Sequence, residues 1–177
     1  TPLAEVQVWA TEAGTPTQTG TSMPTSTPTP TVTSSLPTVN VALGQPATQS
    51  STAFGGVASR AVDGDTTGAW ANGSVTHTGA DNPSWWEVDL GATRQIERVD
   101  VWNRTDACCV NRLVDYFVLV SDTPNPAPGD AGVFAAFESA PPAPVTSVPV
   151  GMNGRYVRIY KASGAVSLAE VQVWGSS

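Results

Sequence analysis

Residues 155–161 read RYVRIYK. Val157 and Ile159 alternate with Arg158 and Tyr160, so an extended segment has one apolar face and one polar face. This two-residue period is typical of a half-buried antiparallel strand. The stretch therefore predicts a strand that covers a hydrophobic core with one face.

Other stretches have the same character: they are short, rich in β-branched and aromatic residues, and bounded by turn residues. They are WWEVDLG (85–91), QIERVDVW (95–102), YFVLVSD (116–122) and SLAEVQVW (167–174). In residues 125–144, prolines at both ends predict at most a short turn of helix. Together these patterns predict an all-β sandwich with at least five strands.

The composition excludes two classes of partner. The chain has 177 residues, enough for about one domain, with 15 acidic and 8 basic side chains and a net charge of −7. Proteins that bind nucleic acid backbones present clustered lysine and arginine, which this balance argues against. No apolar stretch reaches the roughly 18 residues needed to span a bilayer. We therefore expect neither nucleic acid binding nor membrane insertion.

The heptapeptide LAEVQVW occurs twice, at residues 3–9 and 168–174. We interpret the first occurrence as the last strand of a preceding copy of one module, so that the chain carries a tandem repeat; two similar strands within one fold is the alternative. Because the leftover strand 3–10 is apolar at alternate positions, it could associate with an exposed sheet edge of a neighbouring chain. The predicted organisation is a leftover strand at 1–10, a Thr/Pro/Ser-rich linker at 11–38 and a complete module at 39–177.

Two polar clusters could carry chemistry. His77 is the only histidine, and a second cluster places Arg104, Asp106 and Arg112 around the adjacent cysteines 108 and 109. The planar guanidinium has fixed donors that suit neighbouring hydroxyls, and Asp106 could hold an arginine in place. Taken alone, the histidine is typical of a polar surface residue, and the Arg-Asp pair is typical of a structural ion pair. The cysteines could be joined in a strained eight-membered ring or remain free thiols.

A third candidate is the segment SRAVDGDTTGAW (59–70). Asp63, Gly64 and Asp65 give it the oxygen-rich, glycine-kinked character of a calcium loop, although the spacing is not that of an EF-hand. On its own, this tripeptide is more often a simple turn. No acidic pair suited to glycoside hydrolysis and no GxSxG motif occurs, so we expect a protein that is not an enzyme.

Read in order, these segments resemble the F-type lectins, or fucolectins, which are relatives of discoidin domains. The resemblance covers about residues 39–175 and combines the histidine, the Arg-x-Asp, the vicinal cysteines and the calcium segments. The matching segments are VNVALGQPATQSST (39–52), SRAVDGD (59–65), GSVTHT (73–78), WWEVDLG (85–91), NRTDACCVNRL (103–113), YFVLVSD (116–122), RYVRIY (155–160) and SLAEVQVW (167–174).

The resemblance implies an eight-stranded jelly-roll β-sandwich, secreted or at the cell surface, that binds L-fucose and fucosylated glycans at one end. His77, Arg104 and Arg112 would donate hydrogen bonds to the sugar's ring oxygen and hydroxyls, and Asp106 would orient an arginine. The apolar contacts would come from a Cys108–Cys109 disulfide against one face of the sugar, and from Trp70 or Phe54 near its methyl group.

The resemblance also implies a structural calcium ion beside the sugar site. The ion would tie the closing strand to the loop that carries His77. In the preceding copy, Glu5 would be the corresponding ligand. The implied ligands are the carbonyl of Arg60, the side chain of Asp63, the carbonyl of Asp65, Ser74, the carbonyl of Ala169 and the side chain of Glu170.

The sequence departs from the family pattern in one place. Five residues separate Asp106 from Arg112 where the pattern has four, and Ala107 is the extra one. We expect Arg112 to serve nonetheless, because an insertion can bulge outward while the ends of the loop stay in place. The alternative function is a discoidin-like adhesion domain for another glycan, a protein or a lipid. Burial of Arg104 or Arg112 in ion pairs would favour that alternative.

Overall fold

The computed structural model of the chain describes residues 37–176. The predicted preceding strand at 1–10, its ligand Glu5, and the predicted self-association through residues 3–10 lie outside the described residues. So does the predicted linker, except for its last two positions. Thr38, the last predicted linker residue, already belongs to the first strand.

The described chain is built from antiparallel strands, with three short 3₁₀ helices at Ala58–Ala61, Trp70–Asn72 and Val110–Arg112. No helix in this part of the chain is long and apolar enough to cross a membrane. The strands are β1 (Thr38–Asn40), β2 (Ala47–Gln49), β3 (Ser84–Trp102), β4 (Tyr116–Ser121), β5 (Phe134–Glu138), β6 (Val145–Lys161) and β7 (Glu170–Ser176).

The two longest strands, β3 and β6, organise the sheet. They pair with each other from Ser84 opposite Lys161 to Trp102 opposite Val145, with register shifts on the way. The first half of β3 also pairs with β2, and its second half pairs with β7. The sheet order is β1-β7-β3-β6-β4-β5, with β2 beside β3. Because both halves of β3 contribute side chains to one core, the sheet folds over on itself as a sandwich.

The alternation predicted for residues 155–161 is present, but its polar face is not open to water. Val157 and Ile159 are fully buried in the core, as predicted. Arg158 on the opposite face is buried as well, because its Nε lies 2.8 Å from Glu87 Oε2 and its guanidinium carbon 4.2 Å from the Trp85 ring centroid. The outer face of this sheet therefore holds a covered ion pair.

The all-β jelly-roll prediction is confirmed, with three differences in detail. Residues 37–176 form seven continuous strands, because the stretches at 85–91 and 95–102 belong to a single strand and β6 begins ten residues before Arg155. Residues 125–144 contain no helix, in keeping with the predicted limit of a short turn, but they contain the strand β5, which was not predicted. The prolines lie outside Phe134–Glu138, and the segment pairs along its whole length with β4.

One end of the sandwich gathers the loops that carry the predicted sites. Strand β3 ends at Trp102, opposite the first residue of β7, and continues directly into the loop of Arg104. A backbone hydrogen bond from Thr105 N to Gly68 O, at 2.9 Å, joins this loop to the Gly68 segment, and one from Ala53 N to His77 O, at 2.9 Å, joins two other loops at the same end. These loops are distant in sequence, and the strand ends bring them together.

Candidate functional site

A cavity of about 530 Å³ opens at this end of the sandwich. All the residues that the resemblance implies for sugar binding line it, together with the extra residue Ala107. The lining residues are Phe54, Trp70, His77, Arg104, Asp106, Ala107, Cys108, Cys109 and Arg112.

Arg104 and Asp106 form a bidentate ion pair on one side of the cavity. Arg104 Nε donates to Asp106 Oδ1 at 2.7 Å, and Nη2 donates to Oδ2 at 2.6 Å. Hydrogen bonds from Arg104, and a further one from Trp70 N, hold the pKa of Asp106 below its usual range. Arg104 is only 6% exposed, and its Nη1 makes no hydrogen bond to any residue that the structure describes. The geometry thus fixes the guanidinium and leaves Nη1 as a donor.

His77 sits on the opposite side and contacts the second arginine. Its Nδ1 lies 2.5 Å from Thr78 O, and Arg112 Nη1 donates to its Nε2. Burial lowers the pKa of His77, and the charges of Arg112 and Arg104 lower it further. An arginine can only donate, so this contact favours a neutral ring with its proton on Nδ1 and an acceptor at Nε2. That His77 contributes a hydrogen bond to the ligand stays a prediction.

Two aromatic rings flank the imidazole. The Phe54 and Trp70 rings stand edge-to-face to His77, with centroids 5.2 and 5.8 Å away. The guanidinium carbon of Arg104 lies 5.6 Å from the Trp70 ring centroid. Phe54 is 81% exposed, although large apolar side chains are normally covered. These rings give the cavity apolar walls on both sides of its polar centre.

Cys108 and Cys109 form a disulfide, which leaves no free cysteine in the described chain. Cys109 has a φ of 74°, and Ala107 and Cys108 are exposed at the rim of the cavity. Arg112 still reaches His77. The loop therefore accommodates its additional residue at the surface, while its two ends keep both arginines in the cavity.

Three residues that support the site, Gly56, Gly68 and Asn103, could not be predicted from a sequence motif. A Cβ on Gly68 would lie 2.7 Å from Asn103 O, and one on Gly56 would lie 2.6 Å from His77 N. Buried Asn103 donates from Nδ2 to the carbonyls of Val110 and Pro142, at 2.8 and 3.2 Å. Such close approaches between distant segments leave no local pattern, so sequence reasoning could not find them.

A second cavity, of about 560 Å³, lies on the far side of His77. It shares Phe54, His77 and Arg112 with the first cavity. Its other lining residues are mostly small, and they are Ala53, Thr78, Gly79, Ala80, Gly164 and Ala165. The His77–Arg112 contact therefore lies between two open depressions of similar size.

Hydrogen bonds connect several of the residues implied for calcium. Gly64 N donates to Glu170 Oε1 at 3.1 Å, which brings Asp63 and Asp65 to the start of β7, where Ala169 precedes Glu170. Ser74 Oγ bonds Ala69 O and Thr67 Oγ1 in the same loop. Arg60 Nη1 donates to the carbonyl of Val75, the residue after Ser74. The structure therefore brings Asp63 and Asp65 close to Glu170, and it places the Arg60 side chain beside the residue after Ser74.

The buried carboxylate of Glu170 is the feature of this region that fits a bound cation. Its side chain is fully buried, and its Oε2 has no hydrogen-bond partner. Burial raises the pKa of Glu170 to about 7. Within residues 37–176, no three acidic, histidine or cysteine side chains suffice for a metal site on their own. Carbonyl and hydroxyl oxygens would have to supply the remaining ligands. Calcium accepts such oxygens, and the implied ligand set contains them.

The chain is similar to known sugar-binding proteins. Residues 60–159 match the family described as NedA-like, galactose-binding domain. Fucolectin-3 of Anguilla japonica is 36% identical over 146 residues, which cover 76% of this chain and 78% of the relative. A fucose binding module of Streptococcus pneumoniae is 38% identical, covering 76% of this chain and 96% of the module with a TM-score of 0.68.

The lectin domain of lectinolysin, solved in complex with Lewis B antigen, is 35% identical and has a TM-score of 0.69. The match covers 78% of this chain and 98% of the lectinolysin domain. Both the family match and the level of identity across most of each relative point to the same group of proteins. The chain belongs to the F-type lectin, or fucolectin, family of discoidin-like galactose-binding domains.

Proposed function

We propose that this chain is a non-catalytic lectin that binds L-fucose and fucosylated glycans in the cavity of about 530 Å³. The proposal is carried by the convergence of Arg104, Arg112 and His77 on one space between apolar walls. The names of the relatives support the choice of sugar, since one is a fucose binding module and another is complexed with Lewis B antigen.

The groups in the cavity match the surface of a deoxysugar. Arg104 Nη1 and Arg112 donate to hydroxyl oxygens, while one hydroxyl inserts between Arg112 and His77, accepting from the first and donating to Nε2 of the second. The disulfide, Trp70 and Phe54 contact the apolar face and the methyl group. A shallow site of this kind binds one sugar with a dissociation constant on the order of 0.1–1 mM. The disulfide suits an oxidising compartment, so we place the protein outside the cell.

The alternative is a discoidin-like adhesion domain for a different ligand. The near-complete burial of Arg104 in its ion pair with Asp106 favours this alternative. Against it stands the position of Arg104, which lines the cavity with Nη1 left to donate. A buried pair that fixes one donor also serves recognition of a hydroxyl, because a preorganised donor loses little freedom on binding.

Hydrolysis is disfavoured by the state of the acid in the cavity. Asp106 is the one carboxylate that lines it in the part of the chain that the structure describes. Its two oxygens are bound by Arg104, and its pKa is lowered. Glycoside hydrolysis needs a protonated acid and a second, facing carboxylate, so binding without turnover is the function that this cavity supports.

Calorimetric titration of the non-reduced chain tests the proposal. We expect saturable binding of L-fucose and no binding of D-galactose, which has the opposite configuration and carries a hydroxymethyl group where fucose has a methyl group. Saturable binding of both sugars, or of neither, would contradict the proposed specificity and bring the adhesion alternative forward.

We predict that acid weakens fucose binding through His77. Because the pKa of His77 is below its ordinary value, the ring is neutral at pH 7, and affinity should be constant from pH 7 to 8. Below the shifted pKa, affinity should fall about tenfold per pH unit, since protonation removes the Nε2 acceptor and places a third positive charge beside two arginines. Titrations across this range at saturating calcium measure the effect. His77→Gln should bind weakly with no acid transition, and a transition retained in that variant would exclude His77 as its source.

We also propose that the Glu170 neighbourhood binds a structural calcium ion. The implied ligands Arg60, Asp63, Asp65, Ser74, Ala169 and Glu170 would hold it, and a bound ion would neutralise the buried carboxylate and link the loop to β7. At about 100 times the dissociation constant, such an ion adds ~2.7 kcal/mol of stability. For a domain of this size, that corresponds to a rise in Tm of about 5–10 °C.

The prediction is therefore a calcium-dependent rise in Tm, measured by scanning calorimetry with and without a chelator. Glu170→Gln should abolish the rise, whereas Glu97→Gln, at an exposed position of β3, should retain it. An equal rise in both variants would place the calcium elsewhere.

A further inference from the structure

The only lysine of the chain, Lys161, lies where the strand pattern predicts an apolar side chain. It is the last residue of β6, and it shares the core-facing side of that strand with Val157 and Ile159. Lys161 is only 5% exposed. Burial lowers its pKa, and the charge of Asp115 opposes that shift. A buried ammonium group is unfavourable unless it has hydrogen-bond partners, so its partners indicate what it does.

The partners of Lys161 belong to the loop that carries Arg112. The Lys161 Nζ donates to the Arg112 carbonyl at 3.0 Å, and it also donates to the Val114 carbonyl. These two carbonyls flank Leu113, which is fully buried in the core. One ammonium group therefore fixes the backbone at residues 112–114 to the end of β6.

Arg112 depends on such a support more than the other arginine of the cavity does. Its side chain is exposed, whereas Arg104 is buried in an ion pair. The loop also has one residue more between Asp106 and Arg112 than the family pattern, and a longer loop loses more conformational entropy when it is ordered. The contact from Arg112 to Nε2 of His77 therefore requires that the Arg112 backbone be held in place.

Lys161 supports Arg112 from behind the sugar site. It is not among the residues that line either cavity beside His77. Its Cε lies 3.9 Å from the position that a Cβ on Gly164 would take, and Gly164 lines the second cavity. An effect of Lys161 on a bound sugar must therefore pass through the backbone that it holds.

We propose that Lys161 is a positioning residue for sugar recognition, which holds the Arg112 backbone where the guanidinium meets both His77 and the ligand. The effect on fucose rests on the proposed function, but the link from Lys161 to Arg112 needs no ligand. Lys161→Met removes the N–H donors and keeps an unbranched side chain. We expect this variant to bind L-fucose about tenfold more weakly, measured by calorimetric titration.

The pKa of His77 reports the position of Arg112 without any sugar. His77 is the only histidine, so its ring signals in an NMR titration are unambiguous. The charge of Arg112 helps to lower this pKa, so displacement of Arg112 should raise it. We expect a rise in Lys161→Met, a rise in Arg112→Ala, and no further rise when the two are combined, because Lys161 acts through Arg112.

The matched control is Arg158→Met, which removes another β6 cation that is 5% exposed but pairs with Glu87 on the outer face. It should leave the pKa of His77 and the affinity for fucose unchanged. Lys161→Gln, which keeps N–H donors without the charge, should bind fucose more tightly than Lys161→Met. Thermal unfolding shows which variants are folded, and Lys161→Gln is compared with the parent if Lys161→Met is not.

The outcomes separate this inference from the proposed function. An unchanged pKa of His77 in Lys161→Met, or a further rise when that substitution is added to Arg112→Ala, overturns the positioning role. So does an affinity for fucose within about threefold of the parent. A parent chain that binds no fucose overturns the proposed function, while the NMR titrations still decide whether Lys161 positions Arg112.

Discussion

Replacing Arg104 with lysine is expected to remove measurable L-fucose binding while the protein remains folded. Lysine keeps the positive charge but has no planar fork, so it cannot hold both oxygens of Asp106 and also present a fixed donor to the cavity. A hydrogen bond to a charged group contributes ~1.5–3 kcal/mol, and its loss weakens binding by up to about 100-fold. Starting from a dissociation constant on the order of 0.1–1 mM, the variant falls below detection by direct titration.

The chain offers a matched control for this substitution. Arg98 forms a similar pair with Asp100, two residues away on the second half of β3, with its Nε 3.2 Å from the carboxylate. Arg98→Lys should therefore bind fucose as the parent does. Calorimetric titration and thermal unfolding of both variants separate recognition from folding. If Arg104→Lys retained affinity within about threefold, Arg104 would have no part in the site.

Replacing Gly68 with alanine is expected to cause the largest loss of stability among the substitutions proposed for this protein. A Cβ at this position would lie 2.7 Å from Asn103 O and 2.9 Å from Thr105 N, and the residue has a φ of +66°. Backbone atoms cannot move aside as a flexible side chain can, so the loop carrying Arg104 must shift. We expect a decrease in the free energy of unfolding of about 3 kcal/mol or more, combining left-handed strain with overpacking.

Gly44 provides the control, because its φ is +70° but no atom lies within 4 Å of its Cβ position. Gly44→Ala should cost only the conformational part, about 1 kcal/mol. Urea denaturation of both variants measures the two free energies. Equal losses in the two would mean that the close approach between Gly68 and the Arg104 loop contributes nothing to stability.

The strands show how far local patterns extend. Alternation in residues 155–161 predicted which side chains face the core, because side-chain direction in a strand depends only on position. It did not predict that β6 begins at Val145 and has 17 residues, since its first half is held by pairing with β3 rather than by its own composition. Strand β5 was missed because its five residues include two alanines, which have a low strand propensity, so that its order depends on pairing with β4.

The candidate site also has features that the sequence predicts and features that it does not. The residue types of the sugar site and of the calcium neighbourhood could be predicted, since they follow from motifs and from a family resemblance. The hydrogen-bonding role of His77 could not, because it depends on which atoms face each ring nitrogen, namely Thr78 O and Arg112 Nη1. The partners of Lys161 could not be predicted either, because Arg112 and Val114 lie 49 and 47 positions away from it.

The sequence by itself determined the all-β class, the family and the chemical groups available for binding, because side-chain alternation and short motifs are local properties of the chain. Only the tertiary structure decided how those groups meet. It joins Gly64 to Glu170 across 106 positions and places Arg112 against His77 across 35. The proton position on His77, the donor left free on Arg104 and the shape of each cavity follow from such contacts, which form only when the sandwich closes.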